Sequence, residues 1–333
     1  MHLPTHARPP LTAGRRTALL IGLLLLAMAA SLLSLCIGST AYRPWQLLQA
    51  DLDGQIARDV VLSLRLPRTL AAFAVGGLLA VAGALQQVLL RNPLADPYIL
   101  GTSGGASVGA LLAMLLGVGM SLVNLSAAIG ALTAMLLVFV LSGARAATAQ
   151  LLLTGVAISA FCGALSSLLL SLAPDGLLRG MIFWMLGDLS GATWQWALAG
   201  LGLVLLLVWP LLRDLNMLAL GQQRAFALGI PTQQLSWMLY AIAAIATALA
   251  VTTAGMIGFV GLIVPHALRL FIGQDQRLLI PASALTGGIV LLLADILARI
   301  VIAPEQLPVG VVTALLGAPL FIWLLSKHRG MRG

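Results

Sequence analysis

Long apolar runs alternate with short polar segments along almost the whole chain. A helix needs about 20 mainly apolar residues to cross the hydrocarbon core of a bilayer, and the strict alternation of a transmembrane barrel strand is missing here. The pattern therefore predicts ten membrane-spanning α-helices. They lie near residues 18–37, 70–90, 99–116, 125–141, 149–172, 194–212, 235–253, 257–271, 278–302 and 309–325.

Two of these runs are weaker than the others. The run from residue 99 is rich in glycine, and the run from residue 257 is short and contains Pro265, so either is expected to be broken or only partly spanning. Residues 176–191 predict a short surface helix. The first run could be a cleaved signal peptide, but it is longer than the 7 to 15 apolar residues typical of one, which favours a span.

Composition excludes a soluble protein. Of 333 residues, 60% are hydrophobic and 8% are charged, and the mean hydropathy is +1.05, whereas soluble domains carry about a quarter charged residues. So few charges cannot coat a protein of this size, and lipid must cover most of it. The chain is expected to be one polytopic membrane domain, residues 1–333, with a cytoplasmic tail at residues 1–16.

Basic residues indicate the orientation. Ten crossings return both ends to one side, and that side carries 12 of the 18 basic residues. The positive-inside rule then places both termini in the cytoplasm, and the net charge of +8 reflects topology rather than nucleic-acid binding. Arg65, Arg68 and Arg299 are exceptions, because they lie near helix ends on the outer face.

Glycine is plentiful inside the predicted spans. Small residues let helix backbones approach closely in lipid, so the helices are expected to form one packed bundle. A weak internal repeat indicates two related halves, since Gly83 precedes Pro93 by ten positions and Gly255 precedes Pro265 by ten.

Residues that carry chemistry are few. Asp295 lies in the ninth span, where a local ion pair with Arg299 four residues on is favoured over a proton carrier. His266 could ligate a metal chelate, but a histidine that stabilises the Pro265 kink is favoured. The sequence has no G-x-x-x-x-G-K-[ST] loop, and Cys36 and Cys162 give no metal cluster. We therefore expect no enzyme and no cofactor or metal bound by this chain.

The longest polar stretch on the predicted cytoplasmic side is residues 213–234. Five apolar side chains can face one way, with breakers at Gly221, Gly229 and Pro231. A helix lying on the membrane and a docking helix for a soluble partner are equally compatible with this pattern. The five apolar residues are Leu215, Leu218, Ala219, Phe226 and Leu228.

Four stretches carry a family resemblance. They are LRLPRTLAAFAVGGLLAVAGALQQVLLRNPLADPYILGTSGGASVGA (64–110), LGQQRAFALGI (220–230), GFVGLIVPHALRL (258–270) and LPVGVVTALLGAPLFIWLL (307–325). They resemble the FecCD (BtuC-like) permeases, the membrane subunits of type II ABC importers for vitamin B12, haem and ferric siderophores. The resemblance implies an all-α BtuC-like bundle in a bacterial inner membrane. It also implies a homodimer, two cytoplasmic ATPase subunits that hold ATP and Mg, and a periplasmic substrate-binding protein.

The same resemblance assigns roles to residues. Arg65, Arg68 and Arg299 would face acidic residues of the binding protein, with phospholipid contact as the alternative for Arg65 or Arg68. Gln222 and Gln223 stand where relatives often have acidic residues. The ATPase-coupling residues would be Leu215, Leu218, Leu220, Gly221, Arg224, Ala225 and Gly229. The predicted translocation path comprises Thr102, Ser103, Gly104, Ser107, Thr154, Ser159, Ser166, Met181 and Met185.

Residues 176–194 are more similar to the outer gate region of haem-type permeases than to that of the B12 type, whereas NPLADPYILG (92–101) is shared with siderophore importers. Haem is the expected cargo, with vitamin B12 or a ferric siderophore as alternatives. Met181, Met185, Phe183 and Trp184 could contact a porphyrin, although interfacial anchoring explains the two aromatic residues as well. The rival from another class is an ion-coupled secondary transporter, which would need midplane carboxylates that the sequence does not clearly offer.

Overall fold

The computed structural model describes residues 12–38, 52–143 and 148–330, and the regular structure in these ranges is helical. Only residues 12–16 of the predicted tail fall inside them, and Arg15 and Arg16 already belong to α1. The helices are α1 (Ala13–Cys36), α2 (Leu52–Asp59), α3 (Leu66–Leu89), α4 (Thr102–Leu115), α5 (Met120–Ser142), α6 (Thr148–Ser171), α7 (Asp175–Leu186), α8 (Trp194–Val208), α9 (Leu212–Ala219), α10 (Gln222–Ala227), α11 (Thr232–Ala254), α12 (Val260–Ile272), α13 (Gln276–Ile300) and α14 (Val309–Gly330).

The ten predicted spans correspond to ten apolar helices within the described ranges. Seven helical stretches are long and apolar enough to cross a bilayer, and three more are shorter. The surface helix predicted within residues 176–191 is α7. A π-helical turn at Val60–Arg65 joins α2 to α3, so these elements form one continuous rod that begins before the second predicted span.

The two weak spans are short helices, as predicted. Helix α4 has 14 residues and α12 has 13, which gives each a length of about 20 Å against a hydrocarbon core of about 30 Å. The backbone before each is irregular, at residues 90–101 and 255–259. Such backbone is tolerated at membrane depth only where protein buries it.

Side chains of α3 satisfy this irregular backbone. The Gln86 amide donates to the Pro97 carbonyl (3.2 Å), and the Gln87 amide donates to the carbonyls of Ala95 (3.3 Å) and Leu262 (3.0 Å). The two irregular segments also meet directly, because the Ile257 N–H donates to the Tyr98 hydroxyl (3.1 Å).

Helix α3 runs through the centre of the bundle. Nearly all of its residues are buried, and glycines let its neighbours approach the backbone. A Cβ on Gly76 would overlap the Gly287 carbonyl of α13, and one on Gly83 would overlap the Gly261 carbonyl of α12. The glycine pattern thus predicts the packing correctly. We call the end where α1 and α13 begin the inner end, which the basic residues predict to be cytoplasmic, and the opposite end the outer end.

Candidate functional site

Helix α9 attaches the segment 213–234 to the inner end of the bundle. Leu212, Leu215 and Leu218 recur every three residues, so a helix places them on one face, and they are 5%, 0% and 2% exposed in the core. The helix ends at Ala219, and Gly221 follows with a φ of +116°, which favours glycine. Buried leucines thus anchor α9 firmly to the bundle.

Helix α10 presents apolar side chains away from the bundle. Leu220, Phe226 and Leu228 are 55%, 72% and 62% exposed, and Gly229 follows with a φ of +85°. The prediction that Phe226 and Leu228 share one face with Leu215 and Leu218 is wrong. The left-handed backbone at Gly221 separates α9 from α10, so the side chains of α10 do not continue the face of α9.

The predicted coupling residues therefore divide into two groups. Leu215, Leu218 and Ala225 are buried, and Gly221 forms the break between the helices. Leu220, Arg224 and Gly229 are exposed. Leu220, Phe226 and Leu228 are three exposed apolar side chains at a predicted aqueous boundary, and we call them the α10 face. Exposed apolar side chains of this kind are typical of contact with a protein partner or with a membrane surface, and the coupling role stays a prediction.

A polar cluster connects α9 to the start of α13. The Asn216 amide donates to Asp275 Oδ1 (2.9 Å), and Asn216 Oδ1 accepts from the Gln276 N–H (2.8 Å). Asp275 caps α13 by accepting from the Arg277 N–H (3.1 Å), and its Oδ2 pairs with Arg16 Nη1 (2.7 Å).

Asp275 lies before α13 and is held ionised. Burial alone would raise the pKa of its carboxyl, but the bonds from Asn216 and the Arg277 N–H, with the charges of Arg16 and Arg277, hold that pKa below its usual value. Its contribution to stability is therefore present above the pKa of about 3.9 of the unfolded chain and is lost as the pH falls through the lower folded value.

At the outer end, two arginines contact Asp295, and a third, Arg65, lies near Arg299. Arg68 Nε donates to Asp295 Oδ1 (2.8 Å), and Arg299 Nε pairs with Asp295 Oδ2 (3.0 Å). The predicted pair of Asp295 with Arg299 is confirmed. Arg299 also donates to the carbonyls of Ser34 and Ile37, and Arg65 donates to those of Leu35 and Cys36.

These guanidinium groups are not an exposed charged surface. Arg65, Arg68 and Arg299 are 6%, 9% and 4% exposed, and Arg68 also bonds Gln306 (2.6 Å) and Ser190 (3.3 Å). We call Arg65, Arg68 and Arg299 the arginine cluster. Its hydrogen bonds and ion pairs connect the ends of α1, α3 and α13. Contact of these side chains with a binding protein or with phospholipid stays a prediction.

The predicted path residues also fall into two groups. Thr102, Ser107, Ser166 and Met181 are buried. The Thr102 hydroxyl donates to the Pro97 carbonyl (3.1 Å), and the Ser107 hydroxyl donates to the Ser103 carbonyl (3.0 Å) and the Met256 sulfur (3.1 Å). A passing molecule does not reach these groups in this conformation. The partly accessible residues are Ser103, Gly104, Thr154, Ser159 and Met185, and the path itself stays a prediction.

Helix α7 covers a cavity of about 600 Å³ at the outer end. Met181, Phe183 and Trp184 of α7 line it together with Met114 and Met120. On the outside of α7, Arg179 is exposed and its guanidinium lies 5.4 Å from the centre of the Phe183 ring. Arg179 is therefore an exposed cation of the outer end.

Sequence reasoning missed the tertiary partners at both ends. The bond from Arg68 to Asp295 spans 227 residues, and the bond from Asn216 to Asp275 spans 59. The local sequence indicates only that Asp275 caps α13, because an aspartate directly before an apolar-periodic run is typical of a helix start. No sequence spacing indicates which distant side chain meets it.

The chain is similar to proteins of one transport family. Residues 24–327 match the family model described as the FecCD transport family. The vitamin B12 import system permease protein BtuC of Salmonella typhi is 42% identical over 322 residues, which cover 94% of this chain and 96% of that protein. The same-named protein of Salmonella newport matches to the same extent.

Solved structures share the architecture. An inward-facing structure described as a metal-chelate type ABC transporter superposes with a TM-score of 0.84 at 32% identity, covering 93% of this chain and 99% of that one. PsaBC of Streptococcus pneumoniae, solved with a Fab, superposes with a TM-score of 0.56 at 17% identity, covering 81% and 94% of the two chains. The second likeness is one of fold alone.

Proposed function

Since the chain belongs to the FecCD transport family, we propose that it carries a cobalamin-type metal chelate from the periplasm into the cytoplasm by alternating access. The chain is the multi-pass permease subunit of a bacterial ABC importer. In our proposal both termini lie in the cytoplasm. The energy comes from ATP and Mg held by two partner ATPase subunits, and a periplasmic binding protein delivers the cargo.

The observation that carries this proposal is the α10 face. Its three large apolar side chains are more than half exposed, on a segment that buried leucines anchor to the bundle. An ATPase cleft that covered this face would bury apolar surface. Because α9 is anchored in the bundle, movement of the cleft would then be passed to α9. The sequence has no phosphate-binding loop of its own, which agrees with an energy source on another chain.

A second copy of the chain is part of the proposal. Much of α6 and α14 is exposed in a single protomer, including Leu153, Phe161, Leu315 and Ile322. Lipid covers such faces well, but two copies that met along them would enclose an axial path between them. Ser103, Gly104, Thr154, Ser159 and Met185 are then the candidates to border that path.

The outer end is the proposed docking surface for the binding protein. Arg65, Arg68 and Arg299 are only 6%, 9% and 4% exposed, so we propose that they hold the helix ends in register there and that their positive charge attracts acidic groups of the partner to this surface. Charge attraction of this kind mainly sets register and encounter rate. Arg179 is an additional exposed cation on the same side.

The names of the relatives support vitamin B12 over the haem expected from residues 176–194. We therefore propose vitamin B12 as the cargo, and uptake of haem is one of the results that the experiment below distinguishes. The cavity under α7 is lined by methionine and aromatic side chains together with serine, threonine, asparagine and aspartate, so its lining does not distinguish the two cargoes.

Uptake by the reconstituted importer distinguishes these cargoes. The chain is placed in proteoliposomes with its ATPase and its binding protein, and labelled cyanocobalamin, haem and a ferric siderophore are compared. We expect ATP-dependent accumulation of cyanocobalamin at least tenfold above that of the other two. ATP-dependent accumulation of haem or of the siderophore without cyanocobalamin would contradict the substrate assignment.

A further inference from the structure

The side chain of Asn216 forms two hydrogen bonds at the start of α13. Its amide nitrogen donates to Asp275 Oδ1 (2.9 Å) while its amide oxygen accepts from the Gln276 N–H (2.8 Å). A planar amide bound at both ends has a fixed orientation. We call these two bonds the α9–α13 clamp. The clamp fixes the direction of α9 relative to α13 in a way that the non-directional packing of Leu215 and Leu218 does not.

Open space adjoins the clamp. A cavity of about 410 Å³ is lined on one side by Arg213, Met217 and Leu220 and on the other by Gln274 and Arg277, with Asn216 and Asp275 also on its wall. The bonds of Asn216 to Asp275 and Gln276 connect the two walls of this cavity.

Helices α1 and α13 are joined at both of their ends. At the inner end, Arg16 pairs with the second oxygen of Asp275 (2.7 Å). At the outer end, Arg299 donates to the Ser34 carbonyl (3.1 Å), the Ile37 carbonyl (3.0 Å) and the Ser34 hydroxyl (2.8 Å). Two parallel helices tied at both ends are expected to move as one body.

Asp275 therefore stands where three elements meet. One oxygen of its carboxylate binds the amide of α9 and caps α13, and the other binds α1. We propose that Asn216 and Asp275 are positioning residues that transmit movement of the segment holding the α10 face to the α1–α13 pair. From there the movement reaches the arginine cluster, because Arg299 and Asp295 belong to the same helix. This inference rests on the proposed function, since the ATPase supplies the movement.

Loss of the two bonds of Asn216 tests the clamp. Asn216→Asp removes the donor and sets a second carboxylate against Asp275, and Asn216→Leu removes both the donor and the acceptor without adding a charge. The amount of substrate imported per ATP hydrolysed is measured with the complete reconstituted importer. We expect each variant to lower this ratio at least fivefold with hydrolysis retained.

Matched variants separate transmission from folding and docking. Arg213→Gln alters the same cavity without touching the clamp. It should keep the ratio within twofold of the wild type, and all variants should bind the ATPase equally. The inference is overturned if Asn216→Asp or Asn216→Leu keeps the wild-type ratio. A wild type that hydrolyses ATP without importing any cargo would instead contradict the proposed function.

Discussion

Replacing Phe226 and Leu228 together by aspartate should abolish capture of the partner ATPase and reduce ATP-driven uptake to background. These side chains are 72% and 62% exposed, so the bundle loses little packing when they change. In an interface, a buried aromatic anchor typically contributes 2 kcal/mol or more, which is about thirtyfold in affinity for each such residue. The affinity of the purified permease for its ATPase measures the effect directly.

A control at the opposite end separates docking from general damage. Leu172 follows α6 at the outer end and is 66% exposed, which closely matches the exposure of Phe226 and Leu228. Leu172→Asp should leave ATPase binding unchanged. If the Phe226 and Leu228 double variant bound the ATPase with wild-type affinity, the α10 face would not be the contact surface.

Asp295→Asn should strongly destabilise the permease. The change is nearly isosteric, but it leaves two buried arginines, Arg68 and Arg299, around a neutral group. Removing one partner of a buried ion pair costs about 3–5 kcal/mol, because the remaining charge is left buried and uncompensated. Thermal unfolding of the purified protein in detergent should show a markedly lower midpoint. Glu305→Gln, at an exposed acid on the same end, should leave the midpoint unchanged.

A second change should restore much of that loss. Arg68→Gln in the Asp295→Asn background replaces the charged pair by two amides that can bond each other, while Arg299 keeps its bonds to Ser34 and Ile37. The unfolding midpoint of the double variant should lie closer to the wild type than that of Asp295→Asn. An additive loss in the double variant would show that the charge balance of the arginine cluster does not govern its stability.

The fold could be predicted from local patterns because membrane burial leaves a continuous signal. Each apolar run indicates one membrane span. Glycine indicates close contact between helices, as at Gly76 against α13 and at Gly83 against α12. Even the short helices α4 and α12 were predictable, since glycine and Pro265 weaken the runs that contain them. The continuous rod of α2 and α3 was not, because residues 52–65 lack the apolar run that identifies a span.

The sites were less predictable because they depend on distant partners. Asp295 with Arg299 follows from a spacing of four on one helix, but nothing in the sequence pairs Asp295 with Arg68 or Asp275 with Asn216. Phe226 and Leu228 share the apolar pattern of α9 and yet point away from the bundle. That reversal comes from the backbone of Gly221, and a glycine in a sequence marks a break without giving its direction.

Uptake by proteoliposomes under two energy sources tests the central claim most directly. Vesicles that contain the permease alone or with its ATPase and binding protein are loaded with ATP or placed under a proton or sodium gradient. Labelled cargo should accumulate only when ATP and the ATPase are both present, and the gradients should add nothing. Accumulation by the permease alone on an ion gradient would contradict the account, because the chain would then have its own energy source.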